Sequence, residues 1–269
     1  MNRKLSGICK LTGGEARFVK AHIIPKALTK LSRTGEVYLQ AGSGGPITRR
    51  RDSWYDMRIL TQKGEDVMTE YDTRGIELLR KHSLVWSGWG ESLELKVSGH
   101  TCIDDIHGIR EIVDIDTQLL RLFLLSVLWR AASSEMHEFA EIILPKVCLA
   151  RLAEILLKTE PDDPSFLPIG LVQLSTKGPP HNHSPIASSL EMPSFEDQPQ
   201  RTVDIFRFYF DGLIVHFHRP SQRSNYSAMG PLVLGMERRV VLPTVTYEGS
   251  LQFKNMELIL EETYGGQPL

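Results

Sequence analysis

Cys9-Lys10-Leu11-Thr12, Ala21-His22-Ile23-Ile24-Pro25 and Ile59-Leu60-Thr61-Gln62-Lys63-Gly64-Glu65 are the three stretches whose reading decides the fold. Ile8 and Leu11 lead into Thr12-Gly13-Gly14, and Phe18, Val19, Ile23 and Ile24 follow. Residues 8–24 therefore read as two short strands around a turn, where the glycine pair supplies the positive φ a tight reversal needs. Pro25 lacks a backbone donor and closes the strand pattern, with a helical turn expected over 26–31. Residues 57–60 read as a further strand. A helix is predicted over 62–82, with Thr61 as N-cap and Glu65 and Asp66 where carboxylates complement the helix dipole. Val67, Met68, Tyr71, Leu78 and Leu79 approximate its apolar face, and Gly75 weakens its middle.

Outward from this segment the pattern changes. Residues 37–39 suggest a strand leading into the Gly42–Pro46 loop and the Arg49-Arg50-Arg51 run. Strands and loops are expected over 84–115. A helix apolar nearly all round follows from about 116 to 132, capped by Asp116, and it belongs in a core. An amphipathic helix covers about 146–158. Residues 175–202, rich in Pro, Ser and His, read as a loop and a natural divider. Beyond it, 205–209 and 213–217 flank Asp211-Gly212 as a hairpin, and strands fit 231–234, 239–242 and 251–253.

Composition bounds the class. The chain has 269 residues, 41% hydrophobic and 24% charged, ordinary for a soluble globular protein with a sizeable core. The most apolar stretch, 119–129, is shorter than the roughly 20 residues of a membrane span and is broken by Arg121. No secretory signal is visible at the N-terminus, so a cytoplasmic location is the expectation. Cys9, Cys102 and Cys148 form neither a CxxC pair nor a disulfide framework. Charge is divided unevenly: residues 1–51 hold eleven Lys and Arg against Glu15 and Glu36, a net +9 within a chain of net −2. A basic segment on an acidic body suits contact with a polyanion, or neutralisation across an internal interface.

The three quoted stretches resemble the four-cysteine branch of HNH endonucleases. In that family one CxxC precedes a strand ending in His-Ile-Ile-Pro, and a second CxxC opens the helix of a ββα-metal unit. Here the knuckles stand as Cys9-x-x-Thr12 and Thr61-x-x-Gly64. Three of the four zinc-ligand positions carry residues that cannot act as thiolates, so no structural zinc is expected. The run 122–131 also resembles an F-hydrophobic-S-hydrophobic-W-R-A/S helix of bacterial proteins described as HNH endonucleases, as do Ser53-Trp54-Tyr55-Asp56 and Leu84-Val85-Trp86-Ser87.

The resemblance implies a divalent-metal-dependent nuclease, with phage defence as one setting. It places His22 as the general base and Mg2+ or Mn2+ as the ion stabilising the leaving oxygen. The expected metal ligands are Asp56 with Glu65 or Asp66, Glu70 being a further option; Ala21 stands where many HNH enzymes carry an acid. Lys20, Lys26, Arg49, Arg50 and Arg51 are the expected nucleic-acid contacts, DNA foremost, and no membrane is involved. The alternative is a protein that kept the HNH fold, lost the chemistry, and acts as a nucleic-acid-binding or complex-forming subunit, with a protein partner or a second copy. For His22 itself a structural role holding the loop after its strand stands beside the catalytic one.

Other features have plainer readings. Arg130 in its apolar helix is expected to pair with a carboxylate or snorkel rather than bind phosphate. Trp54, Trp86 and Trp89 are expected to share a packing cluster. His181, His183, His216 and His218 are expected at the surface, against a cupin-like metal site. The fold expected is α+β: an N-terminal ββα-metal (HNH-like) module over 1–90 and an accessory α+β domain over 91–269. The latter contains central helices at about 116–158, a loop at 175–202 and β hairpins at 203–255 that make a C-terminal antiparallel β region.

Overall fold

The computed structural model describes residues 5–29, 38–42, 45–50, 53–160, 162–192, 194, 200–219 and 226–264. Strands β1 (Ser6–Ile8) and β2 (Glu15–Arg17) pair antiparallel. Their turn is closed by Cys9 N–H donating to Gly14 O and Gly13 N–H donating to Cys9 O, both at 2.9 Å, with Gly13 at φ 70°. The hairpin is shorter than expected. After Arg17 the chain leaves it, and β3 (Ala21–His22) pairs with β6 (Tyr55–Asp56). Between them, β4 (Tyr38–Gly42) and β5 (Gly45–Arg50) form a second hairpin. Residues 57–60 bend rather than extend, because Asp56 Oδ1 accepts the Arg58 N–H at 2.8 Å and turns the chain into α1 (Gln62–Lys81).

Helix α1 lays Met68, Tyr71, Gly75, Ile76, Leu78 and Leu79 against α2 (Thr117–Ser133). Asp116 caps α2 as expected, its Oδ1 accepting Leu119 N–H at 2.9 Å, and α2 is buried on nearly every side. Helix α3 (Lys146–Lys158) packs on the same pair, with Tyr71 Oη donating to Leu156 O at 2.7 Å. Against these helices lies a seven-stranded sheet of β7 (His100–Cys102), β8 (His107–Ile112), β9 (Ile169–Leu174), β11 (Ile186–Met192), β12 (Arg201–Phe210), β13 (Leu213–His218) and β14 (Val240–Val245). Its order is β11-β12-β13-β9-β14-β8-β7, antiparallel except where β14 runs parallel to β9. The chain is thus α+β, with a mixed sheet in place of a purely antiparallel region.

Several local expectations change. Residues 175–202 are not a bare loop: β10 (His181–His183) pairs parallel with β4, and β11 forms a sheet edge. Residues 251–253 open α4 (Leu251–Tyr264) rather than a strand, and 231–232 close a 3-10 element at Ser227–Leu232 rather than starting a strand. Packing does not break at residue 90. Ile23, Leu60, Met68 and Leu79 share one core with Phe123, Trp129, Phe208 and Val215. Among the described residues no helix is long and apolar enough to cross a membrane.

Side chains alternate across the sheet, and its two faces differ. Phe206, Phe208, Phe210, Val215 and Phe217 join the helical core. The opposite face carries Arg207, Tyr209, His216 and His218 under a second cluster of Trp86, Leu174, Tyr209, Ile214 and Tyr247. The tryptophans therefore divide: Trp54 meets Phe139 at 5.8 Å in the main core, while Trp86 and Trp89 belong to the second cluster. His216 and His218 are buried, contrary to a surface placement. Burial first, with Arg207 and His218 as neighbouring cations, pushes His216 down to about 3. Burial and Arg201 push His218 down to about 4, and burial opposed by hydrogen bonds takes His181 to about 4.

Two outcomes follow from this packing. Gly75 brings α1 against Phe123, where an added Cβ would sit 2.2 Å from the ring Cγ. Gly75→Ala should destabilise by about 1–3 kcal/mol in chemical denaturation, although Ala gains up to ~1 kcal/mol of helix propensity. The buried histidines have folded pKa values below the ordinary 6.5, so their contribution is complete above that value and is lost as pH falls toward 4. Stability should drop between pH 6.5 and 4, and His216→Gln should reduce that slope by up to about 1.4 kcal/mol per pH unit. An unchanged slope would place the proton uptake elsewhere.

Candidate functional site

The stretches at Cys9–Thr12 and Thr61–Gly64 come together. Lys10 N–H donates to Ile59 O at 2.9 Å and Val19 N–H to Leu60 O at 3.0 Å, so the first turn lies against the start of α1. Burial pushes the Cys9 thiol up, but hydrogen bonding to the side chains and backbone of Thr12 and Thr61 outweighs it and holds the thiol at about 7. Thr61 makes no side-chain cap to α1; its hydroxyl serves Cys9 instead. A Cβ on Gly64 would lie 2.8 Å from Cys9 Sγ and 2.9 Å from Leu60 Cδ2. The sulfur thus fills the space that a side chain at position 64 would need. Cys9, Thr12, Thr61 and Gly64 meet at one point, joined by a thiol and two hydroxyls.

His22 lies on β3, half-buried, directly opposite Tyr55 of β6, with their rings edge-on at 6.3 Å. Opposed residues of an antiparallel pair share a face and neighbours alternate. Ala21 and Asp56 therefore share the inner face, while His22 and Tyr55 share the outer one. Asp56 is committed inside: its Oδ1 accepts Arg58 N–H at 2.8 Å and its Oδ2 accepts Ser134 Oγ–H at 2.7 Å. Its expected place beside His22 is not where the structure puts it. Asp66 is exposed and accepts Gln62 Nε2–H at 2.7 Å, and Glu70 is exposed with Arg74 as its ion-pair neighbour.

Glu65 is the exception. It is half-buried, and its Oε2 is enclosed with no hydrogen-bond partner among the described residues. Burial raises its carboxyl to about 7; the Arg130 guanidinium opposes that rise, and the Asp72 and Asp66 charges add to it. Asp72, two helical turns beyond on α1, was not singled out by its sequence context. Arg130 forks onto it, Nη1 to Oδ2 at 2.9 Å and Nη2 to Oδ1 at 2.6 Å. The same Nη1 donates to the His22 carbonyl at 2.9 Å, and Arg130 is only 1% exposed. The expected carboxylate partner of Arg130 is thus present. The i,i+7 spacing of Glu65 and Asp72, opposite an Arg in an apolar helix, was the signal that could have found this cluster.

Among the described basic residues of this segment, Arg17, Lys20 and Lys26 are exposed. Arg17 and Lys20 are exposed and, with Phe18, Val19, Met57 and Gln62, line a cleft of about 500 Å³. The Lys20 ammonium lies 4.0 Å from the centroid of the exposed Tyr55 ring. Lys26 is exposed in the 3-10 turn after Pro25. Arg49 and Arg50 lie on β5, and Arg51 falls outside the described residues.

No family model, curated protein or solved structure matches this chain. The metal question therefore rests on these residues. Mg2+ or Mn2+ would need several oxygen ligands in near-octahedral array. Asp56 has both oxygens engaged on the other face of β3–β6, Asp66 and Glu70 are exposed, and the oxygens of Asp72 and the His22 carbonyl already accept from Arg130. Among the described residues no three His, Cys, Asp or Glu side chains are grouped to hold a metal. The set does not fit a divalent ion.

The sulfur–glycine contact gives a direct check. Gly64→Ala alone should cost about 1–3 kcal/mol of unfolding free energy by overpacking. Cys9→Ala opens the same space, so the double variant should be more stable than the sum of the two losses predicts. Strict additivity in denaturant titrations would mean that the two positions do not share that volume.

Proposed function

We propose that this chain is an HNH-like ββα protein that binds nucleic acid and no longer hydrolyses it through a metal ion. The cleft carries this reading: Arg17, Lys20 and the exposed Tyr55 present cations and an aromatic ring on the His22 side of the module. Cations of this kind attract phosphates whatever the sequence, and an aromatic ring beside them offers a stacking surface. Two acids of the same module, Asp56 and Asp72, are already engaged by Ser134, the Arg58 N–H and Arg130. His22 then serves as a structural element, its carbonyl held by Arg130 and its ring beside Tyr55.

A metal-dependent nuclease with His22 as base is the second reading, favoured by the half-buried imidazole edge-on to the Tyr55 ring that Lys20 overlies. DNA is the first partner to try, with a protein partner or a second copy as the other possibility within the non-catalytic reading.

Fluorescence anisotropy with a labelled duplex separates these. The binding reading expects affinity that falls with salt, is indifferent to EDTA and survives His22→Ala. Arg17→Ala and Lys20→Ala should each lower the slope of log K against log salt by about one. Cleavage in Mg2+ or Mn2+ that His22→Ala abolishes would replace this reading with the hydrolytic one.

A further inference from the structure

We infer that Arg130 is the resident cation of the module's acid cluster, its guanidinium standing where a divalent ion would otherwise bridge Glu65, Asp72 and the His22 backbone. This deepens the non-hydrolytic reading above and rests on it. Three oxygens that could ligate an ion, both of Asp72 and the carbonyl of His22, accept hydrogen bonds of 2.6 to 2.9 Å from this one group. Its remaining donors are also committed: Nε donates to Ser126 O at 3.3 Å, and Nη2 lies 3.4 Å from Ser126 Oγ. The guanidinium is planar, presents a fixed fork, and keeps its proton at any physiological pH. A metal can be chelated away; this cation is covalently part of α2 and 1% exposed.

The acids bear the marks of such an occupant. Asp72 is bidentately neutralised, as an Arg–carboxylate fork does best. Glu65 has no direct donor on its enclosed oxygen, and a second full negative charge there would face Asp72 with one cation between them. One guanidinium compensates one carboxylate, and the second acid tends to keep its proton. A divalent ion would compensate both. The arrangement thus has the charge balance of a monovalent cation.

The test uses full-length protein and MnCl2 as the probe, followed by calorimetry and by paramagnetic broadening of the Glu65 carboxyl signal. Wild type should take up no Mn2+ that Glu65→Gln or Asp72→Asn removes. Arg130→Met, which empties the position without restoring charge, should gain Mn2+ uptake that either of those substitutions abolishes. Uptake by wild type that depends on Glu65 would overturn the inference, and so would absence of uptake by a folded Arg130→Met protein. Should Arg130→Met fail to fold, the wild-type measurement alone still decides. Duplex affinity in the same buffers without Mn2+ reports separately on the nucleic-acid reading, so either idea can fail while the other stands.

Discussion

The fork between Arg130 and Asp72 is the constraint around which the N-terminal half is arranged. A guanidinium 1% exposed in the middle of three apolar surfaces would be prohibitive alone; removing one partner of such a pair costs roughly 3–5 kcal/mol because the other charge is stranded. The pair is therefore an instruction about geometry more than a source of net stability. It sets the rotation of α1 so that Asp72 faces α2, and it fixes the end of β3 because the same nitrogen holds the His22 carbonyl. Phe123 entering the space left by Gly75 then sets how closely the two helices approach.

The C-terminal turn of α2 extends this grip one residue after another. Arg130 takes the His22 carbonyl, Ser133 O accepts from Lys10 Nζ at 2.8 Å, and Ser134 Oγ donates to Asp56 at 2.7 Å. Lys10 is also a cation at a helix C-terminus, where the macrodipole favours it. These contacts help hold the stretches at Cys9–Thr12 and Thr61–Gly64 together. Small metal-bound modules fold only with their ion because they cannot bury enough surface by themselves. Here Cys9, Leu11, Ile23, Ile59 and Leu60 are part of a core that reaches through α2 to the sheet. The N-terminal segment thus draws its stability from the core it shares with the rest of the chain.

What the sequence disclosed and what it hid follow from range of interaction. Helices α1, α2 and α3 were legible because their periodicity, the Asp116 cap and the apolar run 119–129 are local properties. The β12–β13 hairpin was legible from Asp211-Gly212, both of which adopt positive φ. The strand at 181–183 was not, since it exists only through pairing with residues about 140 positions earlier. The same holds for His216 and His218: alternation revealed that they share a side, but not that the side is buried, with Tyr226 edge-on to His218 at 5.2 Å. At the site, the spacing did not disclose the inward direction of Asp56, because whether a two-residue strand shows its acid inward or outward depends on register, which the motif does not encode.

Register also separates the electrostatic roles within the module. With Ala21 opposite Asp56 and His22 opposite Tyr55, one side of the β3–β6 ladder points an acid at Ser134 while the other carries an imidazole and a phenol. Slipping the pairing by one residue would exchange the two, placing Asp56 beside His22 and burying Tyr55. Ser134 opposes that slip, because its hydroxyl reaches Asp56 Oδ2 only when the acid faces inward. Asp56 and Asp72 are thus drawn into the protein, where Ser134, the Arg58 N–H and Arg130 absorb them, and Arg17 and Lys20 are left on the outer surface. Of the cations in the first 51 residues, Arg17, Lys20 and Lys26 are exposed on the described surface, while Lys10 is drawn to Glu135 and the Ser133 carbonyl at the end of α2.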